Sequence, residues 1–362
     1  MQSVGLSVKR VELLMELENK KFLIVILRFH GDVLLIEPMI TDIRLNYPDS
    51  LIDLLVFRGT ASLLLHDERI NKVIEVDPSS ELSFIEKVKS EIILLRKLNS
   101  SAYDFGIFLT TQWRLILMGK ALRKAKTAAV SDKKREGRLW KGSFSVLFPE
   151  AGDNHILERN LNALKFLDMQ ISQNPTLQLY IPEEVSKETD KFLSTYRVLD
   201  KFCVVHPISR RETKLWTLEA FSKLIELLDS RGLQVVLTSG PDPEEIAYVK
   251  RLEEMSSSNL KNIGGKTSLI GLASIISKAE VFIGLDSVAS HIAASVDIPS
   301  VTLFGPSNPV NWRPWSKRAH IISRDGTERF CKQHGHKEGK FKRCLCYIDP
   351  QRVIKVVDEI LI

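Results

Sequence analysis

Hydrophobic positions along the chain form short apolar runs that alternate with longer segments of helical periodicity. In the first half, the apolar runs predict strands at residues 22–28, 51–57, 72–76 and 105–109. The segments between them predict helices at residues 33–45, 82–98 and 113–122. Such an alternation is typical of a mostly parallel sheet that helices cover on both faces.

The same alternation restarts near residue 200, with strands predicted at 201–206, 233–238, 279–285 and 300–304. Helices are predicted at 217–228, 244–255, 269–277, 287–296 and 350–362, and a polar amphipathic helix at 181–196 can link the halves. A chain of 362 residues is too long for one ordinary core. We therefore predict an α/β protein of two doubly wound, Rossmann-like domains, 1–181 and 182–362, that face a central cleft.

Composition narrows the class of protein without assigning a function. Apolar residues make up 44% and charged residues 27%, as in globular proteins. The net charge of +6 comes from 51 basic and 45 acidic residues, which is too small an excess to indicate nucleic acid but suits an anionic substrate or membrane surface. Four cysteines do not form a disulfide framework, and neither a signal peptide nor a membrane span is predicted, so we expect a cytoplasmic protein.

Ligands of doubly wound sheets bind where strands end and helices begin, and four such turns carry candidate chemistry. The first turn, residues 28–32, contains Gly31 and Asp32. Asp32 is a candidate general base, although on these residues alone a helix N-cap is the stronger interpretation. The second turn, residues 206–216, contains hydroxyls and Lys214, which could neutralise a leaving phosphate; a solvated charged loop is an equal alternative.

The third turn, residues 239–245, ends in carboxylates that could accept hydrogen bonds from a ribose. Helix capping by Asp242 with Pro243 in the first helical position is the better interpretation of this turn alone. In the fourth turn, Asp286 and Ser287 end a buried strand, and a helix of small residues follows at once. Its N-terminal amides would suit a diphosphate, and His291 lies one helical turn past Ser287 on the same face.

The segments RFHGDVLLIEPMI at the front and GLDSVASHIAASVDIPSVTLFGPSNPVNWRPW at the back resemble the ADP-heptose:lipopolysaccharide heptosyltransferases of glycosyltransferase family 9. HILERNLNALKFL, HPISRRETKLW and TSGPDPEE occur between them in the order of that family. The resemblance extends from about Lys21 to Trp315. Val288, where many members have glycine, resembles the heptosyltransferase III group.

The resemblance implies a GT-B type fold and an inverting, single-displacement transfer of heptose from ADP-heptose to a lipopolysaccharide inner-core sugar. It implies that Asp32 is the catalytic base and that Lys214 stabilises the departing ADP. The implied donor-binding residues are Ser209 at the phosphates, Glu244 at the ribose, Thr267 and Ser268 at the adenine, Asp286 at the heptose, and Ser287, Val288 and His291 at the diphosphate.

No Asp-x-Asp motif is present that would chelate a metal on the diphosphate, so we expect no metal and no cofactor beyond the donor substrate. The acceptor-binding candidates are basic residues of the first half: Arg28, Arg114, Lys133, Lys134 and Arg135. They could meet phosphates or acidic sugars of the acceptor, and a solvated loop is an equal interpretation of residues 133–141. The potential zinc ligands Cys331, His334, His336, Cys344 and Cys346 are better explained as a tail with free thiols.

Three other classes of protein are alternatives to the glycosyltransferase. A dinucleotide-dependent oxidoreductase is disfavoured because neither first turn has the Gly-x-Gly-x-x-Gly pattern. A non-catalytic nucleotide-sugar-binding protein would need no carboxylate at Asp32. A nucleic-acid binder is disfavoured by the near-balanced charge. A glycosyltransferase of the same fold with another nucleotide-sugar donor stays open.

Overall fold

The computed structural model describes residues 19–78, 83–131, 137–256, 259–323 and 344–361, and it divides into two compact units, Met1–Pro175 and Thr176–Ile362. Residues 166–182 contain neither helix nor strand. Both this division and the predicted boundary after residue 181 lie within that stretch. In the parts of the chain just given, no helix combines the length and the apolar composition that a membrane span requires.

The first unit is one parallel sheet with helices between its strands. Its elements are β1 (Lys21–Ile26), α1 (His30–Leu34), α2 (Glu37–Asn46), β2 (Leu51–Phe57), β3 (Ile70–Val76), α3 (Phe84–Ser100), β4 (Phe105–Phe108), α4 (Arg114–Ala121), β5 (Lys126–Ser131), α5 (Arg138–Lys141), β6 (Val146–Pro149) and α6 (Ile156–Lys165). The six strands lie in the order β3-β2-β1-β4-β5-β6 and pair in parallel. β1 is central and all but its first residue are buried, as expected for a strand covered on both faces.

The single helix predicted over residues 33–45 is wrong, because the chain forms α1 and α2 with a break at Leu35 and Ile36. Pro38 lies in the first turn of α2. Proline has no backbone N–H and its ring would clash with the preceding turn, so one continuous helix is disfavoured there. The break confines α1 to a single short turn directly after β1, and that turn carries Asp32.

The second unit repeats this arrangement. Its elements are α7 (Glu183–Thr195), β7 (Phe202–His206), a 3₁₀ turn (Glu212–Lys214), α8 (Leu218–Asp229), β8 (Gln234–Leu237), α9 (Pro243–Met255), β9 (Lys261–Asn262), α10 (Leu269–Ile276), β10 (Val281–Leu285), α11 (Val288–Ser295), β11 (Ser300–Phe304), α12 (Pro309–Trp312), β12 (Ala319–Ser323), a second 3₁₀ turn (Cys344–Tyr347) and α13 (Pro350–Ile360). The strand order is β12-β11-β10-β7-β8-β9, again parallel throughout.

The core of the second unit lies between its sheet and helices α8 and α13. Side chains of alternate strand positions, such as Val205 and Ile283, share one buried cluster with Phe221 of α8 and Val353 of α13. The predicted linker helix, α7, packs on this unit against α10. Lys278, after α10, forms an ion pair of 2.8 Å with Asp190 of α7.

In both sheets the chain first adds two strands on one side of the unit's first strand. It then crosses over and adds the remaining three strands on the other side. This reversal lies between β1 and β4 in the first sheet and between β7 and β10 in the second. At such a switch point the neighbouring loops leave in opposite directions and open a crevice at the carboxyl ends of the strands. The topology thus selects two places in the molecule for a ligand site.

Candidate active site

Asp32 lies at the switch point of the first unit, just after β1. α1 begins at His30 and Phe29 occupies its N-cap position, so Asp32 is the third helical residue and the N-cap interpretation is wrong. Burial raises the pKa of the Asp32 carboxyl. The positive charges of Arg28 and Arg159 lower it, as do hydrogen bonds from backbone N–H groups of its own residue and of Phe29. A carboxyl group with a raised pKa and fixed orientation is suited to accept a proton during a reaction.

Arg159 is a buried cation beside this carboxyl group that the sequence pattern did not reveal as part of a site. It lies on the buried side of α6 and is only 7% exposed. Its guanidinium donates hydrogen bonds to the carbonyl of Leu109 at 3.1 Å and to Asn160 Oδ1 at 2.7 Å, and it pairs with Glu150 at 3.1 Å. Because Leu109 directly follows β4, these contacts hold a positive charge at the switch point between β1 and β4.

The predicted acceptor-binding residues occupy different places. Arg28 is exposed at the end of β1. Arg114, the first residue of α4, forms an ion pair of 2.6 Å with Glu91 of α3, so its guanidinium already has a protein partner. Lys133, Lys134 and Arg135 lie outside the described residues, and their predicted role stays a prediction.

Lys214 and Asp286 meet at the switch point of the second unit. Lys214 ends the 3₁₀ turn after β7, Asp286 directly follows β10, and the two side chains form an ion pair of 2.5 Å. The hydroxyl of Ser209 donates a hydrogen bond to the Asp286 carbonyl at 3.2 Å. The loops that leave β7 and β10 are therefore joined by residues that the family resemblance assigns to the phosphates and the sugar.

Trp216 fixes the loop that carries Lys214. Its side chain is fully buried in the core cluster of the second unit, against Phe221 at a ring-centroid distance of 5.0 Å. The carbonyl of Trp216 accepts a hydrogen bond from the Tyr248 hydroxyl at 3.1 Å. An anchor two residues after Lys214 restricts the positions that the lysine ammonium group can reach.

Unpartnered polar atoms are buried at the start of α11, next to this ion pair. Ser287 occupies the N-cap position of α11 and Val288 is the first helical residue. Among the described residues, neither the Ser287 hydroxyl nor His291 Nδ1 has a hydrogen-bond partner. Leaving such a group buried and unsatisfied costs about 1–3 kcal/mol, which is tolerated most readily where a ligand completes the bonding.

Two buried histidines are neutral near pH 7. Burial lowers the pKa of His291 to about 4, Asp286 partly opposes that shift, and Lys214 adds to it. Burial also lowers the pKa of His206 to about 4, and its Nδ1 is 2.9 Å from the Thr238 hydroxyl. Both rings can therefore donate one hydrogen bond and accept another without adding charge to the site.

The turn after β8 confirms the capping interpretation made from the sequence. Asp242 is the N-cap of α9, accepts a hydrogen bond from the Glu244 N–H at 2.8 Å, and is followed by Pro243. The Glu244 side chain is exposed in the first turn of α9. The Glu245 side chain instead points back to the turn and accepts a hydrogen bond from the Gly240 N–H at 2.8 Å. The turn predicted to meet a ribose therefore carries the Glu245 carboxylate in addition to that of Glu244.

Thr267 and Ser268 lie beyond β9, the strand next to β8. Ser268 is the N-cap of α10 and accepts a hydrogen bond from a backbone N–H at 3.1 Å, while Thr267 is half-buried. Gly264 and Gly265 precede them in a tight turn. A Cβ on Gly264 would lie 2.5 Å from Val249 Cγ2, and Gly265 has a φ of +71°, so this turn requires glycine at both positions.

Within the described residues, no group of three or more His, Cys, Asp or Glu side chains is arranged to hold a metal ion. Cys331, His334 and His336 lie outside the described ranges, as do the side chains of Cys344 and Cys346, so the tail is not tested as a zinc site. Cys203 is a buried free thiol whose pKa is raised to about 12 by burial. It belongs to the core of the second unit.

Comparison with known proteins identifies the family. Residues 92–342 match the family model for glycosyltransferase family 9 (heptosyltransferase). The chain is 32% identical over 336 residues to lipopolysaccharide heptosyltransferase 3 of Escherichia coli strain K12, and the match covers 92% of this chain and 96% of that relative. The resemblance found in the sequence motifs, including that to the heptosyltransferase III group, is confirmed.

Solved structures agree on the fold. The glycosyl transferase family 9 protein of Veillonella parvula has a TM-score of 0.81 at 23% identity, over 96% of this chain and 98% of that one. Escherichia coli heptosyltransferase WaaC with ADP-2-deoxy-2-fluoro heptose has a TM-score of 0.70 at 21% identity, over 94% and 99% of the two chains. The predicted α/β fold of GT-B type, with two doubly wound units, is confirmed. The chain belongs to glycosyltransferase family 9, the heptosyltransferases.

Proposed function

We propose that this protein transfers a heptosyl group from ADP-heptose to a sugar of the lipopolysaccharide inner core. Membership of the heptosyltransferase family and the 32% identity to lipopolysaccharide heptosyltransferase 3 support the reaction class and the acceptor class. The structural neighbour that was solved with an ADP-heptose analogue supports the donor. We place the reaction on the cytoplasmic side of the membrane, the compartment expected from the sequence.

The observation that carries the proposal is the arrangement at the switch point of the second unit. Lys214 offers a positive charge, and the N-terminus of α11 offers backbone N–H groups and the positive end of its dipole. The unpartnered Ser287 hydroxyl and His291 Nδ1 lie in the first turns of the same helix. A diphosphate placed here would receive hydrogen bonds from each of these groups, and Asp286 would be left to meet the sugar.

The proposed reaction is a single displacement that inverts the anomeric carbon. Asp32 takes the proton from the acceptor hydroxyl while that oxygen forms the new bond to the anomeric carbon of heptose. The bond from that carbon to the phosphate oxygen breaks, and ADP leaves with the electron pair. Lys214 neutralises the charge that develops on ADP, a contribution worth about 3 kcal/mol for one preorganised group.

We further propose that the transfer needs no metal ion, because Lys214 and the α11 N-terminus supply the positive charge that a divalent cation supplies in other enzymes. With ADP-heptose and a truncated core acceptor, we expect the same rate of ADP release before and after treatment with a chelator. Lost activity that added Mg²⁺ or Mn²⁺ restores would show that a metal is required. Turnover only with a different nucleotide sugar would show that the donor is wrong.

The pH dependence of the reaction tests the role of Arg159. Because Asp32 must be ionised to accept a proton, kcat/KM should rise with pH through the pKa of that carboxyl group, which burial has raised. Arg159→Met removes a positive charge that lowers this pKa, so we expect the acidic limb to move to higher pH by about one unit. The measurement is kcat/KM against pH, at a temperature where circular dichroism shows each variant folded.

Arg159→Lys is the matched control, because it keeps the positive charge but loses the paired hydrogen bonds of the guanidinium. We expect its acidic limb to lie near that of the parent. If the methionine and lysine variants shift the limb equally, the charge of Arg159 does not act on Asp32.

A further inference from the structure

Helix α3 presents large apolar side chains to solvent. Ile85, Val88 and Ile92 are 66%, 41% and 43% exposed, and their spacing of three and four residues places them on one face of the helix. The opposite face, with Leu94 and Leu98, packs into the core of the first unit. The outer face of an ordinary surface helix is polar, so a row of exposed branched residues indicates a surface that meets a partner.

Helix α4 continues this surface. It packs beside α3, and the ion pair of 2.6 Å between Arg114 and Glu91 joins the two helices. Trp113, immediately before α4, is 60% exposed, and Leu117, one turn later on the same face, is 49% exposed. We call Ile85, Val88, Ile92, Trp113 and Leu117 together the α3–α4 surface.

The charges around the α3–α4 surface are predominantly positive. Residues 83–124 contain eight lysines and arginines but only three acidic residues, Glu86, Glu91 and Asp104. All three carboxylates already have a partner in the protein: Glu86 accepts a hydrogen bond from Ser83, Glu91 pairs with Arg114, and Asp104 accepts a hydrogen bond from the Lys21 N–H.

Exposed cations lie among the apolar side chains of the surface. Lys89 and Arg96 are exposed on the same face of α3 as Ile85 and Ile92, and Lys120 follows Leu117 on α4. The complementary partner is therefore anionic as well as apolar.

The α3–α4 surface extends to the end of the first sheet where the strands have their carboxyl ends, which is also where Asp32 lies. α3 begins beyond the carboxyl end of β3 and α4 begins just after the carboxyl end of β4, so Ile85 and Trp113 lie toward that edge. Phe29, three residues before Asp32, is 49% exposed at the same edge. A partner on this surface would lie near the point where the acceptor hydroxyl must arrive.

We propose that the α3–α4 surface docks on an anionic phospholipid bilayer. The apolar side chains would enter the boundary between headgroups and acyl chains, where tryptophan is favoured, and the cations would lie against lipid phosphates. The proposal rests on the proposed function in one respect, since a lipopolysaccharide acceptor is held in a membrane. Docking would bring the acceptor edge of the first unit to the membrane surface.

Vesicle binding by the full chain tests this proposal. We expect the parent to sediment with vesicles of phosphatidylglycerol and phosphatidylcholine, and far less with phosphatidylcholine alone. Ile85→Ser combined with Ile92→Ser should weaken partition into the anionic vesicles at least about tenfold. Lys89→Glu combined with Arg96→Glu should weaken it by about tenfold or more at low salt, and less at high salt.

Matched controls on other surfaces are Leu45→Ser, at the far end of α2 where the side chain is 70% exposed, and Lys355→Glu on α13. Both should bind vesicles like the parent. Fluorescence adds an independent readout, because Trp113 is the only exposed one of the five tryptophans, all of which lie in the described residues: Trp140 and Trp216 are fully buried, and Trp312 and Trp315 are half-buried. Vesicles should shift the emission of the parent to shorter wavelength, and Trp113→Phe should remove most of that shift.

Either of two results would overturn the proposal: a parent that does not bind anionic vesicles, or surface variants that bind as well as the controls. A parent dimer that the Ile85→Ser and Ile92→Ser substitutions dissociate would instead assign the surface to a second copy of the chain. Turnover on a soluble, truncated acceptor is measured separately. The α3 variants should keep the parent kcat there, and a parent without turnover would count against the proposed function and not against docking.

Discussion

Replacing Asp32 by Asn is expected to lower kcat by about 10²–10⁴-fold, the usual contribution of a positioned general base. Asparagine has nearly the same shape as aspartate and can still accept hydrogen bonds from the backbone of α1, but it cannot take a proton. The affinity for the donor should change little, because the donor groups lie in the other unit. Turnover and calorimetric binding of ADP-heptose measure the two quantities separately.

Asp153→Asn provides the control, since it removes an exposed carboxylate of the same unit and should leave kcat unchanged. If Asp32→Asn turns over like the parent, Asp32 is not the base. If it loses donor affinity and kcat in proportion, its role is in binding and not in proton transfer.

Replacing Lys214 by Ala is expected to lower kcat by about 10²–10³-fold, as the loss of one preorganised group at a developing charge does. The binding of ADP should weaken as well, because the charge on its phosphates persists after the reaction. Lys214→Arg keeps the charge and should recover part of the rate. Steady-state turnover and the Kd of ADP are the measurements, with the exposed Lys223→Ala on α8 as the control.

The ion pair with Asp286 offers another explanation of such a loss. The Asp286 side chain is 9% exposed in the parent, and Lys214→Ala leaves its carboxylate without a cation. The double variant Lys214→Ala with Asp286→Asn distinguishes the two. If Lys214 acts on ADP, the double variant stays as slow as the single one or becomes slower. Recovery toward the parent rate would show that Lys214 serves mainly to neutralise Asp286.

The ion pair also places a requirement on donor binding. Lys214 Nζ and Asp286 Oδ2 are 2.5 Å apart, so a diphosphate that takes the lysine must compete with the carboxylate. The competition is limited because the lysine ammonium has three donors and can contact both groups. Asp286 then retains an oxygen to accept a hydrogen bond from a sugar hydroxyl.

The sequence alone predicted the strands that carry the site, for a physical reason. Strands covered on both faces must be apolar throughout, and β1, β7 and β10 stand out as continuous apolar runs. A local capping signal was correct at Asp242 and Pro243, whereas the one at Asp32 was not. Strands β5, β6, β9 and β12 escaped this reasoning: β9 has only two residues, and the six-residue β5 contains Thr127, Ala128 and Ala129, which give little apolar signal.

Motifs in the sequence also named the family, and with it Asp32, Lys214 and Asp286 as residues of interest. They could not show how these side chains are held. Lys214 and Asp286 are separated by 72 positions, and Arg159 reaches a carbonyl that is 50 positions away. A local pattern contains no information on such pairs, because they depend on which strands become neighbours.

The tertiary structure decided which polar residues share a site. Both sheets reverse their strand order beside the first strand of the unit. This reversal makes β1 a neighbour of β4 in the first sheet and β7 a neighbour of β10 in the second, so the turns after the two strands of each pair lie side by side. It also decided that Arg159, in a segment that the sequence marks only by its resemblance to the family, is buried with its charge balanced by Glu150. The amino-acid sequence alone indicated the family and most of the strands and helices, whereas packing of distant segments set the charges around Asp32 and Lys214.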